Sequence, residues 1–153
     1  MDESYPGHVV LYDQISNAAG NRIRLIATRP ATDGKFATVF VVGWLSCDTV
    51  EAPADTTEAT SLVFRKLAAL PDIALVRMEK EGVGDSEGDC ARTDFQTEFD
   101  DYRAAFQHML EYSFVDPHRI FIFGISNGGG FAPLVSGETP IAGYVINGGW
   151  MKT

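Results

Sequence analysis

At 153 residues and 45% apolar composition, the chain can build one globular core but not two, so we expect a single domain. Its 21 acidic and 12 basic residues give a net charge of -9, which argues against nucleic acid or an anionic membrane surface as a partner. No apolar run approaches the ~20 residues that span a bilayer, and residues 1–6 lack the features of a signal peptide, so we expect a cytoplasmic protein.

The N-terminal segment predicts an antiparallel hairpin. Residues 8–15 and 21–28 alternate in part between apolar and polar side chains, and residues 17–20 between them have turn chemistry. A break at 29–34 precedes residues 38–42, a short, mostly β-branched run. Such a continuous run is typical of a strand that is buried on both faces.

Two helices and two further strands are predicted downstream. Residues 59–70 carry apolar side chains at helical spacing and follow the cap-like residues 56–58. A longer helix is predicted from about Asp94 to Tyr112, and buried strands at 73–76 and 141–146. We assign the acids of the longer helix, Glu98, Asp100 and Asp101, to its solvated face.

Two opening strands followed by alternating strands and helices place the chain in the α/β class. Because the later strands are continuously apolar, we expect a mainly parallel sheet with helices on both faces. The predicted domain covers residues 1–153, with the hairpin at about 8–28 and the βα units at about 38–153.

The segment Gly124 to Gly128 gives the strongest functional signal. It follows the apolar run 119–123 and opens a glycine-rich segment, which predicts a strand, a sharp turn and a helix start. A serine at such a turn has a strained backbone, tolerated only if the residues two before and two after it lack bulky side chains. Ser126 is therefore a candidate nucleophile, and the Asn127 amide at the helix N-terminus a candidate donor to an oxyanion. The alternative is a chance Gly-x-Ser-x-Gly match in a glycine-rich chain.

Cys47 and Cys90 are the only cysteines, and no Cys or His spacing nearby fits a metal site. Both follow strands that end at the same edge of the predicted sheet, so they could form a disulfide. Closing that loop would stabilise the fold by about 4 kcal/mol on the chain-entropy model. Two free thiols in a reducing compartment are the alternative, whereas a bridge would favour a secreted or periplasmic protein.

These motifs resemble those of the α/β-hydrolase family, over nearly the whole chain. Besides Gly124 to Gly128, residues 42–45 lie where the family's first oxyanion loop follows its third strand, and residues 77–88 look like its glycine-rich turn after the fourth. Within the family, residues 82–88 and 116–120 are similar to segments of bacterial esterases and acyl-peptidase-like serine hydrolases.

The resemblance implies an esterase-like serine hydrolase that forms an acyl-enzyme on Ser126 and uses no metal or other cofactor. It implies one oxyanion donor at the amide of Asn127 and the other at the amide of Trp44 or Leu45. An ester or amide of small size would be the substrate.

A dinucleotide-binding turn is the alternative for the glycines at 82, 84 and 88. Their spacing is one residue too long for Gly-x-Gly-x-x-Gly, and no helix is predicted directly after them. We therefore assign Asp85 and Glu87 to stabilising this loop rather than to catalysis.

The family's catalytic acid and histidine are not found where the pattern requires them, after the nucleophile. The residues after Ser126 include neither His nor Asp, and their only acid is Glu138. None of the upstream histidines is expected to be the general base: His8, His108 and His118. The sequence thus predicts the N-terminal half of a hydrolase, weak or inactive alone; the alternative is a non-catalytic truncated fold that serves as a binding or assembly module.

The last predicted strand, Ile141 to Ile146, would form an open sheet edge, because further strands pair beyond it in the family. An apolar edge invites pairing with another chain, so we expect a homodimer or a complementing chain there. The aromatic residues Trp44, Phe131 and Trp150 could line a pocket, but such residues beside a sheet are more often core. They predict no particular substrate.

Overall fold

The computed structural model describes residues 3–149. Trp150 therefore lies outside the described residues. The helices and strands are, in chain order, β1 (His8–Ser16), β2 (Arg22–Pro30), β3 (Phe36–Val42), α1 (Ala59–Ala68), β4 (Ile73–Met78), a 3-10 turn (Cys90–Arg92), α2 (Phe95–Met109), β5 (Val115–Ile125), α3 (Gly128–Ser136) and β6 (Gly143–Asn147).

The six strands form one mixed sheet in the order β1-β2-β4-β3-β5-β6. The hairpin strands β1 and β2 are antiparallel, and β2 is also antiparallel to β4. Strands β4, β3, β5 and β6 are parallel neighbours. The predicted α/β class with a mainly parallel sheet is therefore confirmed.

Helices cover both faces of the sheet, as the continuous apolar strands predict. Phe40 of β3 packs in the core beneath α2 and α3, whereas the next residue, Val41, packs in the core beneath α1. Their exposed fractions are 0% and 1%. Because successive side chains of a strand point to opposite faces, a strand with a helix layer on each side buries both sets of side chains and is mostly apolar rather than alternating. None of the helices in the described part of the chain has the length and apolar character needed to span a bilayer.

Strand β5 begins earlier than the sequence indicates. The apolar run that predicts this strand begins at residue 119, but β5 already starts at Val115 and includes Asp116 and Pro117. Its pairing with β3 shifts register between Phe36 opposite Val115 and Thr38 opposite Ile120. This irregularity accommodates Pro117, which has no N–H to donate to a neighbouring strand.

The assignment of the α2 acids to a solvated face is wrong for two of the three. Asp100 is exposed, but Glu98 and Asp101 are buried, with exposed fractions of 8% and 3%. Glu98 forms an ion pair with Lys80, which comes from outside the helix. A partner on another element is not visible in the spacing of one helix.

Candidate active site

Ser126 lies in the turn between β5 and α3 with an unusual backbone conformation. Its φ of 54° is the only positive φ of a non-glycine residue among residues 3–149. This conformation is unfavourable in free energy for an L-residue, because its Cβ comes close to the following carbonyl oxygen. The Ser126 amide donates to the Asn147 carbonyl at 2.8 Å, and the Ser126 carbonyl accepts from the Gly129 amide at 3.0 Å. These bonds hold the turn while Ser126 itself remains exposed.

The glycines on either side of Ser126 allow the turn to pack closely. A Cβ on Gly124 would lie 2.7 Å from the Gly128 carbonyl oxygen. A Cβ on Gly128 would lie 2.1 Å from the Val42 oxygen and 2.3 Å from the Gly43 oxygen. All three separations are too short for a side chain at either glycine. The start of α3 is therefore seated directly on the end of β3.

The amide of Asn127 is available to an incoming group. Asn127 precedes the nine-residue helix α3 with helical dihedrals, and within residues 3–149 no protein acceptor takes a hydrogen bond from its N–H. Unsatisfied N–H groups at a helix start, together with the helix dipole, favour a negative charge.

The loop after β3 runs beside Ser126. Val42 is paired with Gly124, so β3 and β5 end at the same side of the sheet, and Trp44 and Ile125 line one cleft there. The Trp44 ring is partly buried and stacks on Phe64, with ring centroids 6.1 Å apart. Trp44 thus contributes to the core, as does Phe131, which is 2% exposed.

Two side chains that sequence analysis did not single out hold this loop. The Gly43 amide donates to the Tyr102 hydroxyl at 3.0 Å, and the Lys80 ammonium donates to the Trp44 carbonyl. Lys80 belongs to the turn after β4 that the sequence does mark as glycine-rich. Lys80 is held against the loop by its ion pair with Glu98 of α2. Because Glu98 is distant in the sequence, the position of Lys80 in the chain does not indicate this contact.

A cleft of about 610 Å³ opens beside the turn. Ile125, immediately before Ser126, lies on one side together with Trp44. The remaining lining comes from the segment between β3 and α1 and from the first turn of α1. It is rich in hydroxyl and carboxylate groups: Asp48, Thr49, Glu51, Thr56, Glu58, Thr60 and Ser61. The cleft is large enough for a small-molecule ligand.

Cys47 and Cys90 form a disulfide, with their Cα atoms 6.0 Å apart. The bond joins the loop after β3 to the 3-10 turn after β4. Two ion pairs hold the same β4 turn against β2: Arg22 with Glu87, and Arg24 with Asp85 at 2.9 Å. Both acids therefore contact β2, and their role in stabilising the loop stays a prediction.

The histidines lie away from Ser126. His108 Nε2 lies 2.8 Å from Asp13 Oδ2 on β1, which is separated from β5 by three strands, roughly 19 Å. His8 hydrogen-bonds the carbonyl oxygens of Pro6 and Leu70, and His118 is exposed near the opposite end of β5 from Ser126. Among residues 3–149, no histidine or carboxylate shares a hydrogen bond with Ser126.

Comparison with known proteins places these features in a family context. Residues 87–141, which include α2, β5 and the Ser126 turn, match the model of the prolyl oligopeptidase family. No curated protein sequence matches the chain.

Solved structures match over nearly the whole chain. A hypothetical protein from Pseudomonas aeruginosa superposes with a TM-score of 0.74 at 15% identity, covering 95% of this chain and 44% of its own. A bacterial heroin esterase gives 0.70 at 20% identity, with 99% and 47% covered. A putative hydrolase from Agrobacterium vitis S4 gives 0.68 at 21% identity, with 90% and 52% covered.

These matches show the fold. The chain has an α/β-hydrolase fold, as its motifs indicated, and it spans about half the length of the structures that it resembles.

Proposed function

We propose that the chain carries the nucleophile of a serine hydrolase, with Ser126 attacking an ester, thioester or amide. The observation that carries this proposal is the strained backbone of Ser126 at the junction of β5 and α3, since such strain concentrates at functional sites. The prolyl oligopeptidase match over the same segment and the esterase fold of the structural neighbours support it.

In the proposed reaction, Ser126 Oγ forms a bond to the carbonyl carbon while its proton passes to a general base. The carbonyl oxygen becomes an oxyanion, which the Asn127 amide and an amide of the loop after β3, from Trp44 or Leu45, stabilise. Collapse of this intermediate expels the leaving alcohol, thiol or amine with a proton and leaves an acyl-enzyme on Ser126. Water then releases the acid.

We place the general base outside residues 3–149, because the described histidines have other partners and lie far from Ser126. A second polypeptide or further residues of a longer protein would supply it. The isolated chain would then retain only the contribution of substrate binding and the oxyanion hole, ~10³-fold over water or somewhat more.

Intact mass spectrometry after incubation with a fluorophosphonate tests this proposal. We expect a slow single adduct on the native chain and none on Ser126→Ala. Ser113→Ala, at an exposed loop serine, is the matched control and should label like the native chain. An adduct that persists in Ser126→Ala, or a folded native chain that never labels, would contradict the assignment.

A specific surface favours a second candidate, an assembly module. The described strands leave one edge of β6 unpaired, with Tyr144 and Val145 exposed. Beside it, an entirely apolar groove of about 360 Å³ runs between α1 and the sheet, lined by Val39, Val63, Leu67, Ile73, Phe121, Ile122, Phe123 and Val145. In this alternative a second copy of the chain pairs with β6 and buries the groove.

Sedimentation velocity at micromolar concentration tests the assembly candidate. Self-association through β6 predicts a dimer that Val145→Glu dissociates. Val9→Glu places the same charge on β1, the strand at the opposite edge, and should leave the dimer intact. A monomeric native chain would rule out the second copy.

A further inference from the structure

We propose that Lys80 is a positioning residue for the loop after β3, whose amides are the candidate oxyanion donors. The inference rests on the proposed function of Ser126. Its basis is the hydrogen bond from the Lys80 ammonium to the Trp44 carbonyl. This bond is not part of the strand pairing or of any helix.

The Lys80 ammonium is held between two elements. Lys80 is 7% exposed, follows β4 by two residues, and donates a hydrogen bond from Nζ to the Trp44 carbonyl. The same Nζ lies 2.8 Å from Oε1 of Glu98, which is in the first turn of α2. A buried charge is costly unless it is paired, and here one carboxylate and one carbonyl share it.

The contact fixes the direction of a peptide plane. The peptide between Trp44 and Leu45 is trans, since the described chain contains no cis peptide bond. The C=O and N–H of a trans peptide point to opposite sides. With the Trp44 oxygen held by Lys80, the Leu45 N–H must point away from Lys80 and α2.

The ammonium also strengthens the amide that it orients. A cation on a carbonyl oxygen polarises the peptide, so the N–H of the same unit becomes a better hydrogen-bond donor. At an oxyanion hole, a donor that is already oriented avoids the cost of reorganisation during the reaction. Lys80 would thus act through Leu45 without touching the substrate.

A second contact, this one from α2 itself, supports the same loop. Tyr102, one helical turn after Glu98, accepts a hydrogen bond from the Gly43 amide at 3.0 Å. Tyr102 is 1% exposed, so its ring cannot move aside. A Cβ on Gly43 would lie 3.0 Å from the Tyr102 oxygen, which leaves little freedom at this point. Helix α2 therefore supports this loop directly at Gly43, through Tyr102, and indirectly at Trp44, through the ion pair of Glu98 with Lys80.

The test combines a structural and a chemical measurement on Lys80→Met, Lys80→Arg and the double variant Lys80→Met/Glu98→Gln. NMR on labelled protein reports the carbonyl ¹³C shift of Trp44 and the amide ¹H and ¹⁵N shifts of Leu45. The rate of fluorophosphonate adduct formation reports Ser126. The double variant removes the ammonium without leaving a buried carboxylate unpaired, so it separates a positioning role from a loss of stability.

We expect Lys80→Met and the double variant to move the Trp44 and Leu45 resonances upfield and to slow labelling about tenfold or more. Lys80→Arg, which keeps a cationic donor, should restore much of both. Two outcomes would overturn the inference: Trp44 and Leu45 resonances that do not move in the variants, or, if the native chain labels, variants that label at the native rate. If the native chain does not label at all, the proposed function fails, and the NMR shifts alone decide whether Lys80 orients the peptide.

Discussion

At the scale of single residues, the backbone of Ser126 has a measurable energetic consequence. A left-handed conformation costs an L-residue about 1 kcal/mol more than glycine. We therefore expect Ser126→Gly to be about 1 kcal/mol more stable than Ser126→Ala. At Ser113, an exposed loop residue without positive φ, alanine should be at least as stable as glycine. Urea unfolding of the four variants measures the free energy of unfolding of each. If the glycine and alanine variants rank the same way at both sites, the backbone of Ser126 is not strained.

Asp101 gives the fold a pH dependence of its own. Burial, together with the charges of Glu81, Asp100 and Glu98, raises the pKa of the Asp101 carboxyl to about 6, although a hydrogen bond with Asn17 opposes the shift. The folded chain then binds more protons than the unfolded chain between the ordinary pKa of 3.8 and about 6. The free energy of unfolding therefore falls as pH rises through this window.

Asp101→Asn should remove that loss. We expect the variant to gain about 2 to 3 kcal/mol relative to the native chain between pH 4 and pH 7, because the amide is never charged. Urea unfolding at several pH values measures the difference. Asp33→Asn, at an exposed turn position whose charge is not among those that act on Asp101, is the control and should follow the native profile. Parallel profiles for Asp101→Asn and the native chain would refute this assignment.

At the scale of elements, what could be predicted depends on how local the signal is. The strands, the helices and the Ser126 turn follow from apolar spacing and glycine positions within about 15 residues. The burial of Glu98 and Asp101 does not, because Lys80 and Asn17 reach them from other parts of the chain. The support of the loop at Trp44 was missed for the same reason, since Lys80 lies 36 positions away.

The disulfide constrains the segment that contains α1 and β4. Cys47 and Cys90 are 43 positions apart, and cross-linking a loop of that length stabilises the folded state by up to about 4 kcal/mol on the chain-entropy model. We expect Cys47→Ser/Cys90→Ser, and the native chain in dithiothreitol, to unfold at lower urea concentration by an equivalent amount. Dithiothreitol should not affect the double variant. Equal midpoints for the native and double-variant chains would show that the cross-link contributes nothing.

At the scale of the whole molecule, one buried ion pair anchors the N-terminal segment to the sheet. Glu3 accepts from Arg77 of β4 through both carboxylate oxygens, at 3.0 and 2.8 Å, and both side chains are fully buried. Glu3 also accepts from the Ala52 amide and the Tyr5 hydroxyl. Three segments of the chain therefore meet at one carboxylate: the N-terminal segment, the loop at Ala52 and β4.

Glu3→Gln should destabilise the fold by about 3 to 5 kcal/mol, because it leaves the Arg77 guanidinium buried without a counter-charge. Thermal unfolding followed by circular dichroism measures the loss. Glu87→Gln removes the exposed partner of Arg22 and serves as the control, with little change expected. Similar unfolding temperatures for the two variants would argue against a structural role of the buried pair.

The strand order has a consequence for folding during translation. Strand β3 lies between β4 and β5, yet β5 follows it by more than seventy positions along the chain. As the nascent polypeptide leaves the ribosome, β3 therefore keeps one apolar edge bare until β5 has been translated. Such an edge is a template for pairing with neighbouring nascent chains on the same messenger RNA. We expect translational pauses between β4 and β5 to prolong this exposure and to increase aggregation during synthesis.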